Sequence, residues 1–337
     1  LVSSFMVYVY KKTIGEKSYY YLRASQRKGT KVIVKDIAYL GSTIEEAKKA
    51  LENLPKYSSE IRKAYKTINN FLESNRYLRK IRLAKLKRDK FIDYEKLLEL
   101  EACKLHFNTD FKKNNEISKQ EILKNFIIEF AHNTTSIEGN TISLNEARNL
   151  LQDGLTPKNK TLREIYDLQN TEKVFFNLIN SKEGISHELV QNIHSELMKN
   201  IDTRSGYRTT DVRVLRANFE ATPAPYVKAD MDLLLKWLDD YKNKLHPLIF
   251  ASIFHHKFEK IHPFMDGNGR TGRMLLNYIL FRNDYPFLII LNKERKEYLD
   301  ALRKADKLNL NEVDEAYKEL INFIAGQMIK NYWNIFL

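Results

Sequence analysis

Residues 262–273 read HPFMDGNGRTGR. This run holds one histidine, one carboxylate, three backbone-permissive positions (Gly267, Asn268 and Gly269) and two arginines. Glycine and asparagine tolerate positive φ, so 267–269 is expected to curl successive amides inward. Inward amides form a nest for an anion, and a helix starting just after adds its positive end. Arg270 and Arg273 add charge and paired donors for phosphate oxygens. Asp266 is a hard oxygen ligand suited to a magnesium ion carried on phosphates. His262 stands at the mouth, able to take a proton near neutral pH. Cradle, metal ligand and base in one stretch point to transfer from a nucleotide. A bare DGNG is an ordinary surface turn. The information lies in the whole string and in its place between two apolar helical segments.

The flanks set that place. Pro247 suits the first turn of a helix over 246–261, with Leu248, Ile249, Ile253, Phe254 and Phe258 on its buried side. Pro263 disfavours helical geometry at His262, so that helix is expected to end there. The next helix is expected from near Arg270, with Met274, Leu275, Tyr278, Ile279 and Phe281 mostly buried. Arg273, one turn on, faces the same way as Arg270.

The string resembles the Fic-family signature HPFxDGNGRxxR at every fixed position. The resemblance covers residues 120–310 and implies a mainly α protein, an all-helical Fic core with a β-hairpin flap. It implies a protein adenylyltransferase that moves AMP from ATP to a Ser, Thr or Tyr hydroxyl of a target protein, and to itself. In that reading His262 is the catalytic base and Asp266 holds Mg2+. Gly267, Asn268, Gly269, Arg270, Thr271 and Arg273 bind the phosphates, and pyrophosphate leaves. A second stretch, Thr134-Thr-Ser-Ile-Glu138-Gly139-Asn140, resembles the family's inhibitory motif (S/T)xxxE(G/N). The resemblance implies that Glu138 pairs with Arg273, with Thr134 and Gly139 completing the motif, so that ATP binds unproductively. In some relatives the same glutamate positions a water that removes AMP, which leaves deAMPylation open. Arg216, Ala217, Asn218 and Phe219 correspond to the flap that docks the target. Tyr298 matches a tyrosine near the adenine. A family asparagine downstream falls on Asp306, a departure from the pattern. AMP is the default group, and transfer of another nucleotidyl group stays open.

The rest of the chain reads differently. Residues 5–40 alternate as strands, with turns at 13–16 and 27–30, giving a small antiparallel β-meander. Ser42 or Thr43 can cap a helix over 44–53. From 58 to 105 the chain reads as charged connecting helices, in which Arg76, Arg79, Lys80, Arg82, Lys85, Lys87, Arg88 and Lys90 meet one acid, Asp89. Ser143 with Glu146 forms a capping box for the next helix. Further helices are expected over 119–133, 158–180, 186–200, 228–243, 293–307 and 311–333, and residues 206–227 suit a β-hairpin or flap. The expected parts are 1–57 (basic β-meander plus helix), 58–118 (charged helical connector) and 119–337 (catalytic domain).

Residues 1–104 hold 24 Lys and Arg against 12 Asp and Glu, whereas residues 105–337 hold 32 against 31. The basic excess therefore belongs to the N-terminal third. It is most simply a solvated helix face; the alternative is a contact for nucleic acid, with Tyr8, Tyr10, Tyr19, Tyr20 and Tyr21 stacking on bases. The lone cysteine, Cys103, allows no intrachain disulfide and fits a reducing cytoplasm. The N-terminus does not read as a signal peptide, and no stretch is long and apolar enough to cross a bilayer. A homodimer is allowed. A metal-dependent hydrolase using His255, His256, His262 and Asp266 is a weaker rival. Adjacent helical histidines point about 100° apart, and the glycines and arginines would go unused.

Overall fold

Alternation at the N-terminus becomes a three-stranded antiparallel sheet in the computed structural model, which describes residues 6–15, 17–28, 30–212 and 221–337. Strands β1 (Met6–Ile14), β2 (Lys17–Lys28) and β3 (Lys31–Gly41) lie in the order β1-β2-β3. Val9 pairs with Leu22 and Lys11 with Tyr20, so the period of two sends Val7, Val9, Tyr20 and Leu22 to one face. That face buries itself against Ile44 and Ala47 of α1 (Ile44–Glu52) and Ile68 and Leu72 of α3 (Tyr65–Leu83), with α2 (Ser58–Lys63) between them in sequence. Thr43 caps α1 by accepting the Glu46 amide at 3.1 Å.

The charged helical run expected over 58–105 is broken. After α3 the chain leaves helical geometry, with Lys85 at φ 49°, and resumes as α4 (Tyr94–Thr109). Crowded like charges without a clean apolar period give no helix face to bury. Phe91 and Ile92 are each 3% exposed, and Asn322 replaces the missing helical hydrogen bonds. Its Oδ1 accepts the Asp93 amide at 2.9 Å and its Nδ2 donates to the Phe91 carbonyl at 3.0 Å. The chain forms two compact units, residues 1–86 and 87–336, so the stretch expected as one connector is shared between them.

The second unit is helical. It continues with α5 (Glu116–Ile137), α6 (Leu144–Asp153), α7 (Leu162–Asn180), α8 (His187–Leu197) and α9 (Val227–Tyr241). Then follow α10 (Pro247–Ile261), α11 (Asn268–Arg282), α12 (Arg295–Arg303) and α13 (Lys318–Ile335). The capping box Ser143/Glu146 is present, and a second one, Thr161/Glu164, starts α7 three to four residues later than the pattern suggested. Helix α11 is the axis of the unit: it packs on α5, α7, α8 and α10, and residues from Asn268 to Leu280 are buried with the exception of Gly269. Its C-terminal half is apolar (Met274, Leu275, Leu276, Ile279 and Leu280), whereas its first two turns bury Asn268, Arg270, Thr271 and Arg273. The flap residues Arg216, Ala217, Asn218 and Phe219 lie outside the described residues, and the flanking segments 206–212 and 221–226 are not strands.

The bundle closes on an aromatic cluster. Phe175 meets Phe126, Phe130 and Phe287 at ring-centroid distances of 5.5, 4.8 and 5.0 Å. Phe126, fully buried, also touches Phe336. Phe126→Ala should therefore lower unfolding free energy by about 3–5 kcal/mol in urea denaturation. A loss below about 1 kcal/mol would contradict this packing.

Candidate active site

Helix α10 ends where Pro263 demands it. His262 is its C-cap, held in the left-handed region (φ 54°, ψ 60°), and its amide still reaches the Phe258 carbonyl at 3.0 Å. A non-glycine residue keeps this conformation only when its surroundings impose it. Arg208 does so. Its buried guanidinium donates Nε to the His262 carbonyl at 2.8 Å and Nη2 to the Ile261 carbonyl at 3.4 Å, while its amide meets the Pro263 carbonyl at 2.9 Å. The same side chain donates to the carbonyls of Thr210 and Thr222, tying both chain segments that flank residues 213–220 to the histidine. His262 Nδ1 lies 3.4 Å from the Glu259 carbonyl, a contact that fixes the proton on Nδ1 and leaves the Nε2 lone pair as the basic site. Burial, together with the nearby Arg208 charge, lowers the imidazole pKa, so the ring is neutral at pH 7.

Six residues later the chain re-enters a helix. Gly267, at φ 77°, is the only one of residues 267–269 with positive φ, and α11 begins at Asn268 rather than near Arg270. The expected three-residue nest is thus a helix N-terminus. The amides of Asn268, Gly269 and Arg270 have no acceptor inside the helix and carry its positive end. Asn268 works through its side chain: Oδ1 accepts the Phe264 amide and Nδ2 donates to the Phe264 carbonyl, both at 2.8 Å. Thr271 is buried, its hydroxyl on the Gly267 carbonyl at 2.9 Å. Both side chains brace the loop that presents the amides.

Charge surrounds that helix end. The Asp266 carboxylate accepts the Gly267 amide at 2.6 Å, pairs with Arg163, and lies 3.8 Å from Arg270. Burial pushes its carboxyl up, but Arg163 and Arg270 pull it further down, so it is ionised. Arg270, 2% exposed, pairs with Asp167 and leaves Nε without a partner. His194 stacks on Phe264 at 3.7 Å and points Nε2 at the Asp266 carbonyl, 2.9 Å away. Beside Asp266 opens a cavity of about 370 Å³ lined by His194, Asp202, Arg204, Tyr207, Arg208 and Met265.

Arg273 is 3% exposed, and α5 engages its Nε and Nη2. Its Nε donates to Thr134 Oγ1 at 2.7 Å, and its Nη2 to the Thr134 carbonyl at 2.9 Å and to Glu138 Oε1 at 2.7 Å. Glu138 is the C-cap of α5, and Gly139 follows at φ 107°. The glutamate keeps 43% of its side chain exposed while its Oε1 sits against the first turn of α11. A Cβ on Gly269 would land on that oxygen and within 2.9 Å of Arg273 Nη1. Crowding by protein atoms pushes the Glu138 carboxyl up, and Arg273 draws it below its ordinary value. An ionised carboxylate therefore occupies the positive end of α11.

A second carboxylate lies behind Arg273. Glu259, on α10, has Oε1 buried without a hydrogen-bond partner and 4.0 Å from His255 Nδ1. A Cβ on Gly272 would strike it. Burial pushes its carboxyl up to about 7, against the pull of Arg273 and with the push of Glu138. His255 Nε2 meets the Tyr298 hydroxyl at 2.5 Å, and Tyr298 is 1% exposed, in the helical interior. His256 Nε2 meets Asp306 Oδ1 at 3.1 Å. The two histidines thus serve separate partners, and among the described residues no group of three or more His, Cys, Asp or Glu could hold a metal ion.

Sequence reasoning brought together His262, Asp266, Arg270, Arg273 and Glu138. It missed Arg208, Arg163, Asp167, His194 and Glu259. Arg163 and Asp167 carry a signal, two opposite charges four apart on one helix face, a spacing that aims them at one neighbour. Arg208 carried none, because its role is to bond carbonyls distant in sequence.

Residues 184–280 match the Fic/DOC family. Protein adenylyltransferase fic-1 of Caenorhabditis elegans is 31% identical over 183 residues, 52% of this chain and 36% of that protein. Protein adenylyltransferase Fic of Aedes aegypti is 31% identical over 195 residues, 55% of this chain and 38% of that protein. The chain therefore aligns with well under half the length of these curated relatives. Two solved structures share the fold. A Fic-domain signalling protein from Bacteroides thetaiotaomicron matches with a TM-score of 0.63 and 21% identity, over 70% of this chain and 95% of that one. Fic-1 of Caenorhabditis elegans, residues 134–508, matches with 0.59 and 24%, over 86% and 82%.

Glu259 gives the site a pH signature. The native state keeps its proton up to about pH 7, whereas the unfolded chain loses it near 4.5. Stability should fall as pH rises from about 4.5 to 7, by on the order of 3 kcal/mol for this group. Glu259→Gln should flatten that fall, gaining at pH 8 relative to pH 5 in thermal melts. Parallel pH profiles for the two proteins would refute it.

Proposed function

We propose that this chain, which carries a Fic domain, is a protein adenylyltransferase that moves AMP from ATP to a Ser, Thr or Tyr hydroxyl of a target protein and of itself. The observation that carries the reading is the helix N-terminus at Asn268. It follows a base locked in the left-handed region and is ringed by Asp266, Arg270 and Arg273. Free amides and two arginines suit a triphosphate; a neutral imidazole beside them suits an incoming alcohol.

The chemistry follows from the residues. The hydroxyl oxygen attacks the α-phosphorus of ATP while its proton passes to His262 Nε2. A P–O bond forms to the target, and the bond between the α- and β-phosphates breaks. Pyrophosphate leaves with the negative charge, met by the α11 amides and the arginines. Asp266 is a hard donor beside an open cavity, which suits a magnesium ion arriving on the phosphates; its partner Arg163 is 55% exposed and can release it. Such an ion would neutralise phosphate charge. Arg208 positions the base by holding its backbone.

Glu138 supplies control. Its carboxylate sits where a terminal phosphate would meet Arg273, so nucleotide binds without its productive pose until Glu138 withdraws. The same carboxylate, beside the site of attack, suits a water-directed removal of AMP. Transfer of another nucleotidyl group remains the second reading of the transferase. ATP as the substrate and a single buried thiol, Cys103, favour a cytoplasmic address.

Incubation with each nucleoside triphosphate and magnesium, read by intact mass, tests this. Glu138→Gly should raise self-modification about tenfold or more, with ATP preferred. His262→Ala in that background should reduce it about 100-fold or more. Equal labelling in all three proteins would sink the assignment. The reaction also has a pH direction. His262 must be neutral to act, and its pKa lies below the ordinary histidine value, so the rate of Glu138→Gly should climb only below about pH 6.5 and stay level above it. A rate still rising from pH 7 to 8 would identify a different base.

A further inference from the structure

The first unit holds almost all of the chain's excess charge. Residues 1–86 contain 19 Lys and Arg against 7 Asp and Glu, which accounts for 12 of the net +13. None of the residues named in the candidate active site belongs to that unit. The placement of the charge on the sheet is informative. The pairs Tyr8–Arg23, Tyr10–Tyr21, Lys12–Tyr19 and Tyr21–Tyr39 fix which side chains share a face. Tyr8, Tyr10, Tyr19, Tyr21 and Tyr39 all fall opposite the face that packs on α1 and α3.

Five tyrosines therefore lie on the side the helices leave uncovered. They form a connected surface. Tyr39, 54% exposed, lies 5.4 Å from Tyr21 and 6.5 Å from Tyr19, centroid to centroid. The Arg23 guanidinium stacks 3.4 Å above the Tyr10 ring. Lys12 and Lys17 are exposed on the same face, where the acid Asp36 is paired with Arg23. An antiparallel sheet that turns one face to water ordinarily alternates apolar-in with polar-out. Tiled rings on the outer face are not accounted for by the core, which is built from the other face.

We propose that this open sheet face binds single-stranded nucleic acid. Phosphates would meet Lys12, Lys17 and Arg23, and unpaired bases would stack on the tyrosines. Duplex bases are already stacked on one another, so the rings select single strands. An anionic lipid surface would answer to the charge but leave the ring tiling without a role. The proposal stands or falls apart from the transferase reading, because it uses only residues of the first unit.

The test is fluorescence anisotropy with labelled single-stranded DNA and RNA of about 20 nucleotides and the full chain. Affinity should fall steeply as salt rises from 50 to about 200 mM. Tyr21→Ala with Tyr39→Ala should weaken binding about tenfold or more. Lys12→Glu with Lys17→Glu, two exposed positions that leave the fold intact, should weaken it and reduce the salt slope. Far-UV circular dichroism and thermal melts matching the parent chain should show that both variant pairs are folded. Four results would overturn the proposal: no binding at low salt, binding indifferent to both pairs, duplex of equal length competing as well as single strand, or preference for phosphatidylserine vesicles.

Discussion

Two buried helices, α10 and α11, must be joined by six residues without burying unpaired backbone, and the site is what that requirement produces. The turn is possible because both ends lie in the left-handed region, His262 at φ 54° and Gly267 at φ 77°. Between them Phe264 is held by a double hydrogen bond to the Asn268 side chain, and Arg208 takes up the carbonyls of Ile261 and His262. A rigid loop of this kind pre-orients an imidazole and a row of free amides before any ligand arrives. Such preorganisation is the main source of electrostatic catalysis.

The positive end so created is strong enough to require an answer in the resting protein. Arg270 is met by Asp167, and Arg273 by Thr134 and Glu138. A buried cation without a partner would be costly. Each arginine is thus held in one geometry by an acid from another helix, α7 for the first and the end of α5 for the second. The α5 contact is the looser one, because Glu138 is 43% exposed and lies past the last turn of its helix. Ligand charge can replace it more easily than it can replace Asp167.

Much of this was legible in the sequence, for identifiable reasons. Pro263 and the glycines report directly on local backbone, so the end of α10 and the turn after it could be read off. The signature and the 134–140 motif named His262, Asp266, Arg273 and Glu138. The sheet was readable because period-two alternation survives in Met6–Ile14 even where lysines intrude. The break after α3 was not, since it depends on Asn322 capturing a backbone more than two hundred residues away. The curled nest expected at 267–269 failed because asparagine's tolerance of positive φ is permission, not preference. Asn268 is held in the helix by the same side chain that stitches Phe264. Arg208 was invisible because the groups it holds in place are backbone carbonyls, and Glu259 because its neighbours on α11 are reached only through the fold.

The two glycines of α11 finish the argument. Gly269 and Gly272 lie three apart on one helix, and a Cβ on either would strike a carboxylate oxygen, Glu138 in the first case and Glu259 in the second. Both acids flank Arg273, one charge that can fully satisfy only one of them. Glu138 is held ionised, its carboxyl drawn down by the arginine, while burial pushes Glu259 up to about 7. The division is not symmetric, because Glu138 is 43% exposed and hydrogen-bonds the guanidinium, whereas Glu259 is 15% exposed and its buried Oε1 has no hydrogen-bond partner. Removing the negative charge of Glu138 from this pocket removes one of the repulsions that keep Glu259 protonated. Any ligand that displaces Glu138 must therefore bring negative charge of its own to Arg273, or leave the arginine to the buried acid behind it. A terminal phosphate, with several oxygens and room at the open end of α11, meets that condition; a neutral ligand does not.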